Sequence, residues 1–241
     1  MPRPVCAIVG AGEGLGCSLA AKFAGEGFDI ALVSRSEAGS SAAAAAATRL
    51  KAKVNFYAAD ALKPESIEQA LLQSMTDMGE VQVLIYNVRD QFLMREPLEM
   101  TYAELNEAFH LEVVGAFAAA KAVLPAMRQR GQGSILFSSA TAAFRGSGRG
   151  ALYAIGKFGL RALSQSLAKA YAKDGVHVVH VRLDCDLDMP MIREIHGDRF
   201  DPDYVANTDD VAQTYWWAHQ QPKSAWSNEI ELRPYTETWT I

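Results

Sequence analysis

The sequence predicts a doubly wound α/β fold, a parallel sheet of about seven strands with helices on both faces. Three observations predict it. Short β-branched runs alternate with longer segments of helical period, glycine or proline marks most of the joints, and a glycine cluster directly follows the first run. Parallel neighbours need a crossover connection, so this alternation makes a parallel sheet the default. A length of 241 residues suits one such unit, and residues 1–241 are read as a single domain.

Strands are expected at residues 5–10, 29–34, 53–60, 81–87, 133–139 and 176–183, with a last one at 228–234. Between them, helical spacing runs through 15–27, an alanine-rich stretch around 40–52, 64–79, 101–130 and 151–175. Gly25, Gly27, Pro64, Gly79, Gly131, Gly133 and Gly175 sit at the ends of these segments, where a helix or strand stops. The alanine run at 42–47 is a helix surface, since alanine is the best helix former. A helix over 207–221 is expected to start on a Thr208 cap followed by acidic residues. Residues 184–207 show no clean period and follow the carboxyl end of the sixth strand, the place for a substrate lid.

Composition excludes several function classes. A net charge of −5 leaves no electrostatic footprint for a phosphate backbone or an anionic lipid surface, so neither nucleic acid nor membrane is an expected partner. No uninterrupted apolar run approaches the roughly 18 residues that span a bilayer. The N-terminus enters a short strand directly, without a signal-peptide core. Three widely spaced cysteines, Cys6, Cys17 and Cys185, form neither a disulfide framework nor a metal-binding pair, and a reducing cytoplasm fits them.

Gly10, Gly14 and Gly16, with Leu15 between the last two, fall immediately after the first strand and at the start of the first helix. Glycines there let the backbone turn tightly and approach a pyrophosphate, whose charge is favoured by free N–H groups and the helix dipole. That context points to a Rossmann-like dinucleotide site. Where such folds usually place an acidic residue for the ribose 2′-hydroxyl, this chain has Ser34 and Arg35. A guanidinium suits a 2′-phosphate, so NADP is favoured over NAD; the competing reading makes Arg35 a solvated helix-cap charge. Asp60 is placed to meet the adenine edge and Asn87 the far ribose. Cys17 is read as a small packing residue rather than a thiol activated by the helix dipole.

Tyr153 and Lys157 are four residues apart at the start of the helix after the fifth strand, and that strand ends in Ser138 and Ser139. Residues at i and i+4 share a helix face, so the phenol and the ammonium can enter one cleft. Carbonyl reduction by hydride needs a proton donor at the developing alkoxide. In the reverse direction a phenol is a poor base at neutral pH, and a neighbouring cation favours the phenolate.

Over nearly its whole length the chain resembles the short-chain dehydrogenase/reductase family, classical type. Gly10, Gly14, Gly16, Asp60, Asn87, a serine closing "SILFSS", Tyr153 and Lys157 carry the resemblance. It implies Tyr153 as general acid/base, Lys157 on the nicotinamide ribose favouring the phenolate, and a serine orienting the substrate carbonyl. Ser139 suits the family spacing better than Ser138, with Thr141 nearby.

Three departures stand out. "YNVR" puts Val88 and Arg89 where the family has two small residues, Glu112 replaces a helix asparagine of the family's proton path, and Asp184, Cys185 and Met189 replace the proline, glycine and threonine that often follow the sixth strand. Glu112 either pairs with Lys157 or points to water. Arg89 binds a cofactor phosphate, binds an acidic substrate group, or is a surface charge.

Other constellations are set aside. His177 and His180 lie three apart on a strand and point to opposite faces, and His110, His196 and His219 lack partners at ligand spacing, so no metal is expected. The aromatic stretch "TYWWAHQQPKSAW" reads as core or subunit packing, and Ser139 lacks a hydrolase elbow. In proteins of the family the helices corresponding to 102–127 and 151–172 build a subunit interface, which implies a homodimer or homotetramer. The function expected is an NADP(H)-dependent oxidoreductase interconverting an alcohol and a ketone or aldehyde. The alternative is a fold-retaining nucleotide-binding regulatory or scaffold protein without turnover; enoyl reduction fits the tyrosine spacing less well. The lid mixes Met189, Met191, Ile192 and Ile195 with Arg193, Glu194 and Arg199, compatible with an apolar substrate bearing an acidic group.

Overall fold

Runs buried on both sides build the sheet. The structure, a computed structural model, describes residues 2–89 and 93–238. Its strands are Val5–Val9 (β1), Asp29–Ser34 (β2), Val54–Ala58 (β3), Val81–Tyr86 (β4), Gly133–Ala140 (β5), Val176–Leu183 (β6), Asp186–Leu187 (β7), Val205–Ala206 (β8) and Glu229–Leu232 (β9). Seven of them form one parallel sheet in the order β3-β2-β1-β4-β5-β6-β9, and β7 pairs with β8 in a separate parallel ribbon. The expected strands therefore all form, in a doubly wound order.

Successive residues of each strand point to opposite faces, and the sequence supplies apolar side chains to both. Ala7, Val9, Val33, Tyr86 and Phe137 pack under Pro64–Met78 (α3), Gly115–Arg130 (α5) and Ala151–Tyr171 (α6). Cys6, Ile8, Ile30, Leu32 and Leu136 pack under Leu15–Gly25 (α1), Ser41–Arg49 (α2) and Thr208–Gln220 (α8). Each fully buried large aliphatic or aromatic side chain contributes about 1.5–3 kcal/mol of transfer free energy. The aromatic stretch belongs to this second layer: Phe23, Phe28 and Trp216 meet edge to face at 5.5–6.1 Å, and Trp226 stacks on His177 at 4.6 Å.

Tyr102–Phe109 (α4) continues through a π turn, His110–Val114, into α5, so Tyr102–Arg130 is one 29-residue rod. By length and composition this rod could cross a bilayer, which amends the expectation drawn from uninterrupted apolar runs. Its most apolar window holds few charged residues, and helical continuity joins apolar segments that read as separate. Just over half of its most apolar window is buried against the sheet, the pattern of a core helix.

Two local expectations change. The cap of α8 is Asn207, whose Oδ1 accepts from the Asp209 and Asp210 amides at 2.8 and 3.4 Å. Thr208 instead accepts from Ser18 Oγ at 2.8 Å, tying α8 to α1. Residues 184–207 are more ordered than their sequence suggests: Pro190–His196 (α7) starts on a proline at its first turn, and the β7–β8 ribbon brackets it.

Candidate active site

Strand order reverses between β1 and β4, so the loops that follow these strands diverge and leave a crevice at their carboxyl ends. The crevice has two lobes. One, of about 350 Å³, lies beside β2 and β3 and is lined by Gly12, Arg35, Asp60 and Asn87. The other, of about 250 Å³, lies over β5 and β6 and is lined by Leu15, Ser139, Tyr153, Lys157 and Met189. Gly10, Gly12, Asn87, Val88 and Arg89 border both.

The glycine loop is shaped by close approach. Gly10 has φ +87°, and a Cβ there would lie 2.7 Å from the Asn87 carbonyl oxygen. A Cβ on Gly16 would lie 2.8 Å from Ala11 Cα. Beyond the loop, α1 begins with neither a side-chain cap nor an acid in its first turn, so its free N–H groups and dipole remain open to an anion. Nothing lies within 4 Å of a Cβ placed on Gly12. These features fit a dinucleotide pyrophosphate. Met189 Sδ packs directly on Gly14, covering part of this edge.

Around the first lobe the expected residues gather with unequal freedom. Arg35 is exposed at its rim. Ser34 Oγ donates to the Ser36 carbonyl at 3.1 Å and meets Ser40 Oγ at 2.6 Å, so this hydroxyl is engaged in the turn after β2. Asp60 Oδ1 accepts from the Leu62 amide at 3.1 Å. Asn87 Nδ2 donates to the Gly10 carbonyl at 3.0 Å, which makes it a brace for the glycine loop.

In the second lobe, strand alternation separates the two serines. Ser138 points toward α8, where its Oγ accepts from Tyr215 OH at 2.8 Å. Ser139 points to the face covered by α6; its hydroxyl is buried and, among the described residues, lacks a hydrogen-bond partner. Lys157 Nζ lies 5.5 Å from the Tyr153 ring centroid. It donates to Glu112 Oε2 at 2.7 Å and to the Ser138 carbonyl at 3.4 Å.

Glu112 thus faces inward, and the solvent reading of it falls: its side chain is 0% exposed and that of Lys157 2%. Burial alone pushes the Lys157 ammonium down, but the charge and hydrogen bond of Glu112, with Tyr153, hold it above the ordinary lysine value against the opposing charge of Arg89.

The remaining departures have structural partners. Asp184 accepts from Thr141 Oγ1 and pairs with Arg233 at 2.8 Å, joining the ends of β5, β6 and β9. Burial, then the charges of Asp184 and Asp186, pushes the Cys185 thiol up to about 12, so it is a poor nucleophile. Cys17 is likewise raised by burial, in keeping with a packing role. Arg89 lies 3.5 Å from Met191 Sδ beneath α7. His177 and His180 occupy opposite faces of β6, the one stacked on Trp226 and the other beside Arg161 and Glu229. Sequence reading missed Tyr215, Arg233 and the Met189 contact, none of which follows from local spacing.

A glycine loop at the switch point of a parallel sheet, with tyrosine and lysine in the same crevice, defines a dinucleotide-binding oxidoreductase. Residues 4–190 match the family described as short chain dehydrogenase, and the chain belongs to the short-chain dehydrogenase/reductase family, the NAD(P)-dependent oxidoreductases of small molecules. It is 31% identical over 177 residues to the 3-oxoacyl-(acyl-carrier-protein) reductase of Escherichia coli, covering 72% of this chain and 70% of that protein. A short-chain dehydrogenase from Rhodopseudomonas palustris superposes with TM-score 0.82 at 30% identity, covering 96% and 99% of the two chains. An alcohol dehydrogenase from Thermococcus sibiricus, complexed with 5-hydroxy-NADP, superposes with TM-score 0.85 at 22% identity and 99% coverage of both chains.

Proposed function

We propose that this protein interconverts an alcohol and a ketone or aldehyde with NADP(H), using Tyr153 as the general acid/base. The observation that carries the proposal is the second lobe, where Tyr153, Lys157 and the buried Ser139 hydroxyl, unpartnered among the described residues, line one cavity. A buried hydroxyl without a partner is costly unless a ligand satisfies it, and a substrate carbonyl is such a ligand. A nicotinamide cofactor held in the crevice would supply the hydride for the carbonyl carbon. Ser139 then orients the carbonyl oxygen, Tyr153 gives its phenolic proton to that oxygen, and Lys157 holds the ribose and supports the phenolate left behind. In oxidation the phenolate takes the alcohol proton back.

For the cofactor, Gly10, Gly14, Leu15 and Gly16 form the pyrophosphate cradle, Asp60 lies at the adenine edge and Asn87 braces the loop. Arg35 at the rim, beside Ser34, favours the 2′-phosphate of NADP over NAD, in keeping with the NADP analogue bound by the Thermococcus sibiricus relative. Leu183, Leu187, Met189 and Ile192 make the substrate end apolar, with Arg89 as a second cation beside Lys157, and residues 184–207 act as its lid within one domain. We further assign a homodimer or homotetramer, because Phe109, Phe117, Ile155 and Phe158 are 42–48% exposed on α4, α5 and α6. Three free cysteines accord with a reducing cytoplasm.

Fluorescence titration with NADPH and NADH side by side, followed by a carbonyl screen with Tyr153→Phe as control, tests the reading. NADPH preferred, with turnover lost in Tyr153→Phe, supports it. Binding without turnover across the panel would favour a regulatory nucleotide-binding role, and preference for NADH would overturn the cofactor assignment.

A further inference from the structure

Lys157 is surrounded in an unusual way for a residue whose proposed role depends on its positive charge. Three elements converge on its ammonium. Glu112 reaches it from the π turn at 2.7 Å, the Ser138 carbonyl from the end of β5 at 3.4 Å, and Tyr153 lies one turn earlier on α6. An ammonium has three N–H donors, so among the described residues two have protein acceptors and one remains for the cleft.

Two features of the chain bring Glu112 there. The π turn His110–Val114 breaks the α-helical hydrogen-bond ladder, and the Leu111 carbonyl accepts from Tyr86 OH at 2.5 Å. Such turns rotate the side chains that follow and occur often at functional sites. On the opposite helix, Gly156 immediately precedes Lys157, and a Cβ there would lie 2.8 Å from Glu112 Cγ and 3.0 Å from its Cβ. Any larger residue at 156 would push Glu112 aside, so the missing side chain is the notch through which the carboxylate crosses α6.

We propose that Glu112 is a built-in counter-charge that weakens the pull of Lys157 on the Tyr153 phenol, so that the phenol can serve as the acid of carbonyl reduction up to higher pH. This rests on the proposed acid/base role of Tyr153. Glu112 acts through Lys157 and is a positioning residue. Among the described residues, other charged or titratable groups facing this centre include Arg89 after β4, Tyr86 on β4, His180 on β6, and Cys185 and Asp186 in the lid. Of these, Arg89 is the further cation acting on Lys157, and it reinforces the field that Glu112 offsets. Burial of both partners keeps the effect strong, because water does not screen it.

The test is a tyrosinate absorbance titration of the full-length protein, free and with NADP⁺, in which subtraction of Tyr153→Phe isolates the Tyr153 signal. Glu112→Gln, which keeps the shape and the hydrogen bond, and Glu112→Asn are expected to move that signal toward acid. Gly156→Ala, which displaces the carboxylate without removing it and favours the helix, is expected to move it the same way by less. The rise of alcohol oxidation with pH shifts with it, while Glu112→Asp stays near wild type. A signal that stays in place in folded Glu112→Gln and Gly156→Ala, with only Tm lowered, would reduce the pair to packing. Such a result leaves the acid/base reading intact as long as Tyr153→Phe abolishes turnover; full turnover in Tyr153→Phe would remove that reading first.

Discussion

Tyr215 on α8 donates its hydroxyl to Ser138 Oγ at 2.8 Å in the core beneath the crevice. Adjacent serines are thereby divided between two faces of the sheet, one bound into the fold and one, among the described residues, without a hydrogen-bond partner. Ser139→Ala is expected to lower kcat about 100-fold with little loss of stability. Ser138→Ala leaves the Tyr215 hydroxyl buried without its acceptor, so it costs about 1–3 kcal/mol and acts mainly on stability. Steady-state kinetics and urea denaturation of both variants separate the two roles, and a larger kcat loss in Ser138→Ala would reverse the assignment.

Arg35 is exposed at the rim of the first lobe and bordered by Ser34, whose hydroxyl is engaged in the turn. The guanidinium is therefore the group there best suited to a 2′-phosphate. Arg35→Ala should weaken NADPH binding ~10–100-fold, the value of a charge-assisted contact, and leave NADH nearly unchanged. Fluorescence titration reads both; equal weakening would place Arg35 outside cofactor discrimination.

Gly10 combines φ +87° with a Cβ position 2.7 Å from the Asn87 carbonyl oxygen. Gly10→Ala adds backbone strain to a collision with the strand end, and Asn87 Nδ2 donates to the same residue's carbonyl. Stability should fall by about 2 kcal/mol or more, with cofactor affinity lost in parallel. Denaturant melts with and without NADPH measure the two effects.

Burial pushes the imidazoles of His180 and His219 down to about 4. In the unfolded chain each titrates near 6.5, so between these values the unfolded state binds protons that the folded state excludes. The stability these neutral rings allow is complete above about pH 6.5 and is lost as pH falls toward about 4, by up to about 3 kcal/mol each. Unfolding free energies measured across that interval should decline, and His180→Phe should flatten the decline. A pH-independent free energy over the same interval would contradict it.

Phe117 on α5 and Phe158 on α6 are 48% and 42% exposed. If these helices meet in an assembly, a Phe117→Glu/Phe158→Glu double variant should elute as a folded monomer in light-scattering chromatography, against a dimer or tetramer for the parent. A parent that is itself monomeric rejects the assignment.

Much of this was legible in the chain. Strand and helix periods placed the seven main strands and the crossover helices, since side-chain alternation and 3.6-residue periodicity are local properties. The glycine loop and the Tyr153–Lys157 pair were legible because their geometry is set within one turn of backbone. Less local features were missed or left open. The Asn207 cap was read one residue late because Asn and Thr both cap well. The lid helix α7 was too short to show a period.

Residue type and near-neighbour spacing alone therefore settled the layered parallel fold, the dinucleotide loop and the class of chemistry. Closure of the fold in three dimensions settled which serine hydroxyl is bound by Tyr215 and which has no partner among the described residues, that Asn87 braces the loop, and that Glu112 meets Lys157 across 45 residues of sequence. The physical reason is range. Hydrogen-bond ladders and side-chain periodicity act over a few residues and leave a written pattern, whereas an ion pair between separate helices depends on a π turn, a glycine notch and two packed surfaces that only the folded chain brings together.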